Sequence, residues 1–152
     1  MARFTFKLEP VLSQRRRVED EHRRVLARLL SRRMQMHHQL REMQESLSGD
    51  KQAMAQSLVG QVDVGRIRGH AAHNAQIVQR ARGIVTHLAD LEDQIAEARA
   101  ALIQASQQRK AIELLRDRQH RRWKKKLDQR EAAAMDEMAT QRFGRGTGEA
   151  FS

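Results

Sequence analysis

The side chains with the most chemical potential in this chain are cations, and they are grouped. Residues 1–33 carry ten Lys/Arg against four Asp/Glu, and residues 109–130 carry ten against three. The stretch 34–108 is nearly balanced, at seven against eight, and 131–152 is slightly acidic. The first block holds Arg15-Arg16-Arg17 and Arg23-Arg24. The second holds Arg116, Arg118, Arg121, Arg122, Lys124, Lys125 and Lys126 around the only tryptophan, Trp123. Guanidinium and ammonium groups at this density attract polyanions or acidic protein surfaces through charge and counterion release. Trp and Arg are also the residue types that dominate protein-binding hot spots. The bland alternative is a solvated helix face laced with i,i+4 ion pairs, with Glu113 and Asp117 beside Arg116 and Arg121. The lopsided sign of the block and its tryptophan favour a partner.

Other chemistries find less support. Seven histidines include only two close sets, His37-His38 and the i,i+3 pair His70 and His73. No carboxylate completes a ligand set near either, so they read as polar helix residues and no metal or cofactor is expected. The glycine-rich Gly144–Gly148 stretch follows a helical pattern and lacks the Gly-Lys-Ser/Thr of a phosphate loop. No nucleophile–base–orienter set can be argued, so the chain reads as a non-enzyme. Nucleic acid is the rival partner for a chain of net charge +10 and pI near 11.2. A helix-turn-helix, zinc-finger or stacking-platform pattern is missing, which argues against specific recognition.

Composition narrows the architecture that must position these cations. Only 3% of the 152 residues are aromatic, 32% are charged, and there is one proline. That favours long helices and a narrow coiled-coil seam over a thick core. Cysteine is absent, which excludes disulfides and fits a cytoplasmic protein. The first ten residues lack the apolar region of a secretory signal, and no stretch approaches the ~20 apolar residues that span a bilayer.

Pro10 suits the first turn of a helix. From there Val11, Val18, Val25, Leu29, Met36, Leu40, Met43, Leu47, Met54 and Leu58 recur at threes and fours, with Arg15, His22 and Arg32 filling gaps. Two steps of four adjoin at Met36, from Arg32 and on to Leu40, and predict a small stutter. Glycines at 60, 65 and 69 mark a connection, and Asp63 is placed to cap a new helix. A second stripe follows: Ile67, Ile77, Ala81, Ile84, Leu88, Leu91, Ile95, Ala98, Leu102, Ala105 and Ile112. The expected organisation is an all-α antiparallel coiled-coil hairpin over 1–143. It has a helix at about 11–58, a connection at about 59–65 and a helix at about 66–142. A disordered tail is expected over 144–152.

The stripes pair with a constant register. Leu47 meets Ile77, Met43 meets Ala81, Leu40 meets Ile84, Met36 meets Leu88, and Leu29 meets Ile95. Val25 meets Ala98, Val18 meets Ala105 and Val11 meets Ile112, with paired numbers adding to 123 or 124 throughout. A single chain satisfies every layer, so a monomeric hairpin is expected. At 1.5 Å per residue the helices would be ~70 and ~115 Å long, leaving the second to overhang beyond Ile112. An unpaired helix of ~30 residues is marginal in water, so the N-terminal FTFKL segment or a partner must cover part of it. Both basic blocks would share one end of the hairpin.

Two stretches carry a family likeness. One is Phe4-Thr5-Phe6-Lys7-Leu8-Glu9-Pro10-Val11-Leu12. The other comprises Lys110, Glu113, Leu115, Arg118, Trp123, Arg130-Glu131 and Asp136-Glu137. Together with length and two-helix plan they make the chain resemble the FliJ family of the flagellar type III export apparatus. The resemblance implies a coiled-coil hairpin similar to the γ stalk of rotary ATPases. It implies insertion into the hexameric export ATPase FliI, promotion of its assembly and activity, and contact with the cytoplasmic domain of the export-gate protein FlhA and with export chaperones. It further implies a cytoplasmic location, peripheral to the inner-membrane export apparatus. The basic residues named above would then seat in the ATPase ring, with the connection near Gly60 projecting toward the gate. A nucleic-acid-binding coiled coil and the equivalent stalk of a virulence secretion system are the alternatives.

Overall fold

The computed structural model describes residues 3–148, with side chains as far as Gly144. Two helices account for nearly all of it: α1 (Glu9–Ser57) and α2 (Val64–Gly148), with no strand among the described residues. The two helices pack against each other as an all-α hairpin.

Local chemistry sets the ends. Pro10 occupies the first turn of α1, where a missing N–H leaves no hydrogen bond unmade. At the other end Ser57 donates its hydroxyl to the Met54 carbonyl at 2.7 Å, and the Val59 N–H donates to the Gln56 carbonyl at 3.2 Å. The chain then reverses at Gly60, whose φ of 99° is the one positive value among the described residues. A Cβ there would meet no atom within 4 Å, so glycine is required by the backbone angle alone. Asp63 caps α2 as its position suggests: Oδ1 accepts from the N–H groups of Gly65 at 2.9 Å and Arg66 at 3.4 Å.

The connection is therefore 58–63, tighter than the 59–65 read from the glycines, and Gly65 and Gly69 lie inside α2. The far end differs more. α2 continues through Gly144 and Gly146 to Gly148, past the expected stop at 142. Glycine ends a helix when it takes the left-handed conformation, and among the described residues only Gly60 does so. Residues 149–152, the remainder of the expected tail, lie outside the described residues.

The chain divides into two compact units, one of residues 19–105 and one made of the N-terminal segment to Val18 with the chain from Ser106 onward. In the 19–105 unit, Leu88, Leu91 and Ile95 form the buried cluster, with Leu26, Leu29, Leu30, Met36, Leu40 and Ile84 packed against it. Three expected layers, Leu40 with Ile84, Met36 with Leu88 and Leu29 with Ile95, fall in that one cluster. Cross-helix polar contacts agree: Arg33 reaches Glu92 at 3.2 Å, and His73 Nε2 lies 3.6 Å from Asp50 Oδ2.

In the other unit the non-helical segment ahead of α1 folds onto α2. Phe6 and Leu12 are buried, Leu12 completely. Arg15 donates to Gln108 at 2.8 Å, and Glu9 lies 3.6 Å from Arg116.

Burial corrects the phase of the first stripe. Among the covered positions on α1, with Glu9, Val11, Ser13, Val25 and Leu30 partly covered beside it, one row runs Leu12, Arg15, Glu19, His22, Leu26, Leu29, Arg33, Met36, Leu40, Met43, Leu47, Asp50, Met54 and Ser57. This is an unbroken alternation of threes and fours, so the expected stutter does not exist. Val18, expected in the seam, is 37% exposed, and Glu19 beside it is 2% exposed. Leu58 is 55% exposed beyond the helix end, and Arg33 rather than Arg32 takes the seam position. The heptad period outranks hydrophobicity at these sites: a valine one step off the stripe faces water, while a carboxylate on it is covered. On α2 a row of covered positions from Ile67 to Ile112 keeps the same period, with Ala101 and Ser106 partly covered beside it. Seam numbers then pair to 124 within each unit, Glu19 with Ala105 and Asp50 with Asn74 in one, Leu12 with Ile112 in the other.

Candidate functional site

The structure divides the thirteen residues of the expected basic surface into three groups. The first is engaged within the chain. Glu113 accepts from Arg109, one turn before it on α2, and from Arg16 of α1 at 3.2 Å. Partial burial works to raise the Glu113 pKa. Hydrogen bonds from Arg109 and Arg16, with the charges of both, outweigh it and hold the carboxyl below its ordinary value. Arg15 and Arg116 are held by Gln108 and Glu9. Glu113 and Asp117 were expected to serve Arg116 and Arg121; Glu113 instead ties α2 back to α1.

Arg23 and Arg24 belong to the 19–105 unit, and both are bound along their own helix. Arg23 donates to the buried Glu19 at 2.8 Å and to Asp20 at 3.3 Å, and Arg24 lies 3.9 Å from Glu21. These are i,i+3 and i,i+4 pairs, the bland pattern for a helix face.

Trp123 forms the second group with neighbours that sequence reading left uncertain. The N-terminal segment covers it. Phe4 sits with its ring centroid 5.8 Å from Trp123 and 5.0 Å from His120, edge-on to the imidazole, and His120 and Trp123 are 5.8 Å apart. Trp123 is thus half-buried in an aromatic nest, facing its own chain. Only Phe4 at the start of the sequence hinted at this, through the need to cover an overhanging helix.

The third group is open. Arg17, Arg118, Arg121, Arg122, Lys124, Lys125 and Lys126 are exposed, and among the described residues none has a carboxylate within ion-pair distance. Asp117 and Asp128 stand at i,i+4 from Arg121 and Lys124, yet neither pair closes. Six of these seven cations fall within the nine residues 118–126 of α2, on a helix whose inner side is occupied by Arg116, Trp123 and Leu127. Such a surface binds acidic groups without first breaking internal ion pairs.

Two further features complete the inventory. The connection carries Leu58, Val59 and Val62, and α2 opens on Val64, all exposed, Val59 by 84%. Among the described residues, no group of three or more His, Asp or Glu side chains is arranged to hold a metal, and no helix is long and apolar enough to cross a membrane.

Comparison with known proteins gives one result. No curated protein and no solved structure matches the chain. The family described as flagellar FliJ protein matches residues 4–148, which takes in the Phe4 segment, both helices and the open basic run. With nearly the whole chain matched, this protein belongs to the flagellar FliJ family, and is a component connected with flagellar type III export.

Proposed function

We propose that this chain is a non-enzymatic stalk of the export apparatus, whose 3–18 and 106–148 unit seats in the hexameric export ATPase and promotes its assembly and activity. The observation that carries the reading is the unpaired basic run from Arg118 to Lys126, with Arg17 on α1. Cations left without internal partners are complementary to an acidic ring lumen, and steer association through their field. The ion pairs Arg16–Glu113 and Glu9–Arg116 and the Phe4–Trp123 contact support the reading by holding α2 firm behind that surface. The exposed aliphatic residues of the connection, Leu58, Val59 and Val62, with Val64 at the start of α2, suit docking on a second partner, the cytoplasmic domain of the export gate. Export chaperones are the third class of partner in this reading.

The test is ATPase stimulation. Replacing Arg121, Arg122, Lys124, Lys125 and Lys126 with glutamate abolishes stimulation of the partner ATPase while leaving helicity intact. Undiminished stimulation by that variant would refute the seated-stalk reading.

A further inference from the structure

The open cations of α2 are not scattered. Arg118, Arg121, Arg122 and Lys125 stand at i, i+3, i+4 and i+7, which places all four on one helix face. Burial shows that this face looks outward: all four are exposed, while Arg116, Trp123 and Leu127 on the other side are covered. Lys124 and Lys126 flank the row. The same face continues through Asp128, Gln129, Ala132 and Ala133, at i+10, i+11, i+14 and i+15, so that Asp128 is its one carboxylate before Asp136. The result is a straight cationic strip about 10 Å long, whose four positive charges outnumber the single carboxylate, Asp128, that follows them before the small residues Ala132 and Ala133.

We propose that this face adsorbs to the surface of an anionic lipid bilayer. A flat, diffuse negative surface touches one face of a helix over successive turns, which is how these four cations are presented. Each Lys or Arg near such a surface contributes about a fivefold gain in binding. Long Lys and Arg side chains reach headgroup phosphates without a preformed pocket. Single-stranded nucleic acid fits less well, because its bases stack on aromatic side chains, and the aromatic groups here, Trp123 and His120, are packed with Phe4. Adsorption is to the headgroup plane only, since no helix among the described residues can span a bilayer. The same cations serve the proposed ATPase contact, so the lipid-bound form is a state of the chain outside the ring, and the two states exclude each other.

The experiment uses full-length protein without ATPase. Partition onto phosphatidylcholine vesicles is compared with partition onto vesicles that also contain phosphatidylglycerol. Binding is expected only to the anionic vesicles, falling steeply with salt. Arg118→Gln/Arg121→Gln/Arg122→Gln/Lys125→Gln should lose on the order of a hundredfold or more in partition. The same charge change made at Arg66, Arg68, Arg80 and Arg82 should lose far less. Were the quadruple variant to lose helicity by circular dichroism, the pairs Arg118→Gln/Arg122→Gln and Arg121→Gln/Lys125→Gln each carry the test, at about tenfold or more. Equal losses in the two quadruple variants, binding that ignores phosphatidylglycerol, or preference for duplex DNA over the anionic vesicles in direct competition would each overturn the proposal.

Discussion

Single side chains in this protein do their work by pairing across the seam, and Glu113 shows the consequence for pH. Its carboxyl is held below the ordinary glutamate value by Arg109 and Arg16. A group with a lowered folded pKa contributes stability above its unfolded pKa, and loses it as pH falls through the folded one. The stability difference between wild type and Glu113→Gln should therefore be constant above about pH 5 and vanish in more acidic solution. Because Glu113 is about a third exposed, the difference should be only about 0.5–1 kcal/mol, reduced by salt. Urea unfolding across pH measures it; a difference that grew on acidification would contradict the assignment. A second polar layer lies in the 19–105 unit, where Asp50 Oδ2 and Asn74 Oδ1 are buried without a hydrogen bond, and His73 stands 3.6 Å from the former. A polar group at a seam position fixes register at a cost in stability. Asp50→Leu/Asn74→Leu should raise the urea midpoint, through a gain of about 1–3 kcal/mol in unfolding free energy for two relieved polar groups. Asn74→Leu alone should lower it, since Asp50 then faces an apolar neighbour. If both variants were destabilised alike, the layer would be a stabilising network.

Elements add what residues alone do not: cover. The non-helical segment before α1 places Phe4 on Trp123 and buries Phe6. Trp123 is the only tryptophan and the chain has no tyrosine, so its emission reports this contact directly. Phe4→Ala should shift that emission to longer wavelength at native conditions, without loss of helicity. Phe6→Ala, at a core position, should also destabilise by about 3 kcal/mol or more. Unchanged emission in Phe4→Ala would show that the segment does not cover the tryptophan. This element also marks the boundary of what sequence reading reached. The helix count, Asp63 as cap, the antiparallel plan and three layers of the buried cluster were legible, because hydrophobic period and capping act locally. The phase from Val18 to Arg33 was not. Reading by hydrophobicity selected Val18 and Arg32 and then needed a stutter at Met36, whereas the strict heptad carries Glu19 and Arg33. A buried glutamate with an arginine one turn away is invisible to a search for apolar residues. The basic residues were likewise found as a set, but ion pairs formed across the helices decided which stayed open. Those depend on register to within one residue.

At the scale of the whole molecule, the issue is whether one chain uses its own stripes. Both stripes follow one heptad period, and in each compact unit the seam positions match with numbers adding to 124. A parallel dimer of α1 stripes would instead set Arg15, Glu19 and Arg33 each against its own copy, placing like charges in the same layer, which is unfavourable. The intramolecular register avoids this by pairing Glu19 with Ala105 and Arg33 with Leu91. The isolated protein should therefore be monomeric, and nitroxide labels at Leu40 and Ile84 should be close within one chain. Dilution with excess unlabelled protein separates the cases: distances inside one chain survive it, while distances between chains disappear. Sedimentation across a concentration series gives the second reading, and a mass that doubles together with loss of the short distance would replace the hairpin by an exchanged dimer. A monomer is also what a net charge of +10 favours, since two such chains side by side repel at low salt. Raising salt should therefore not dissociate anything; it should only weaken the adhesion of this chain to acidic partners.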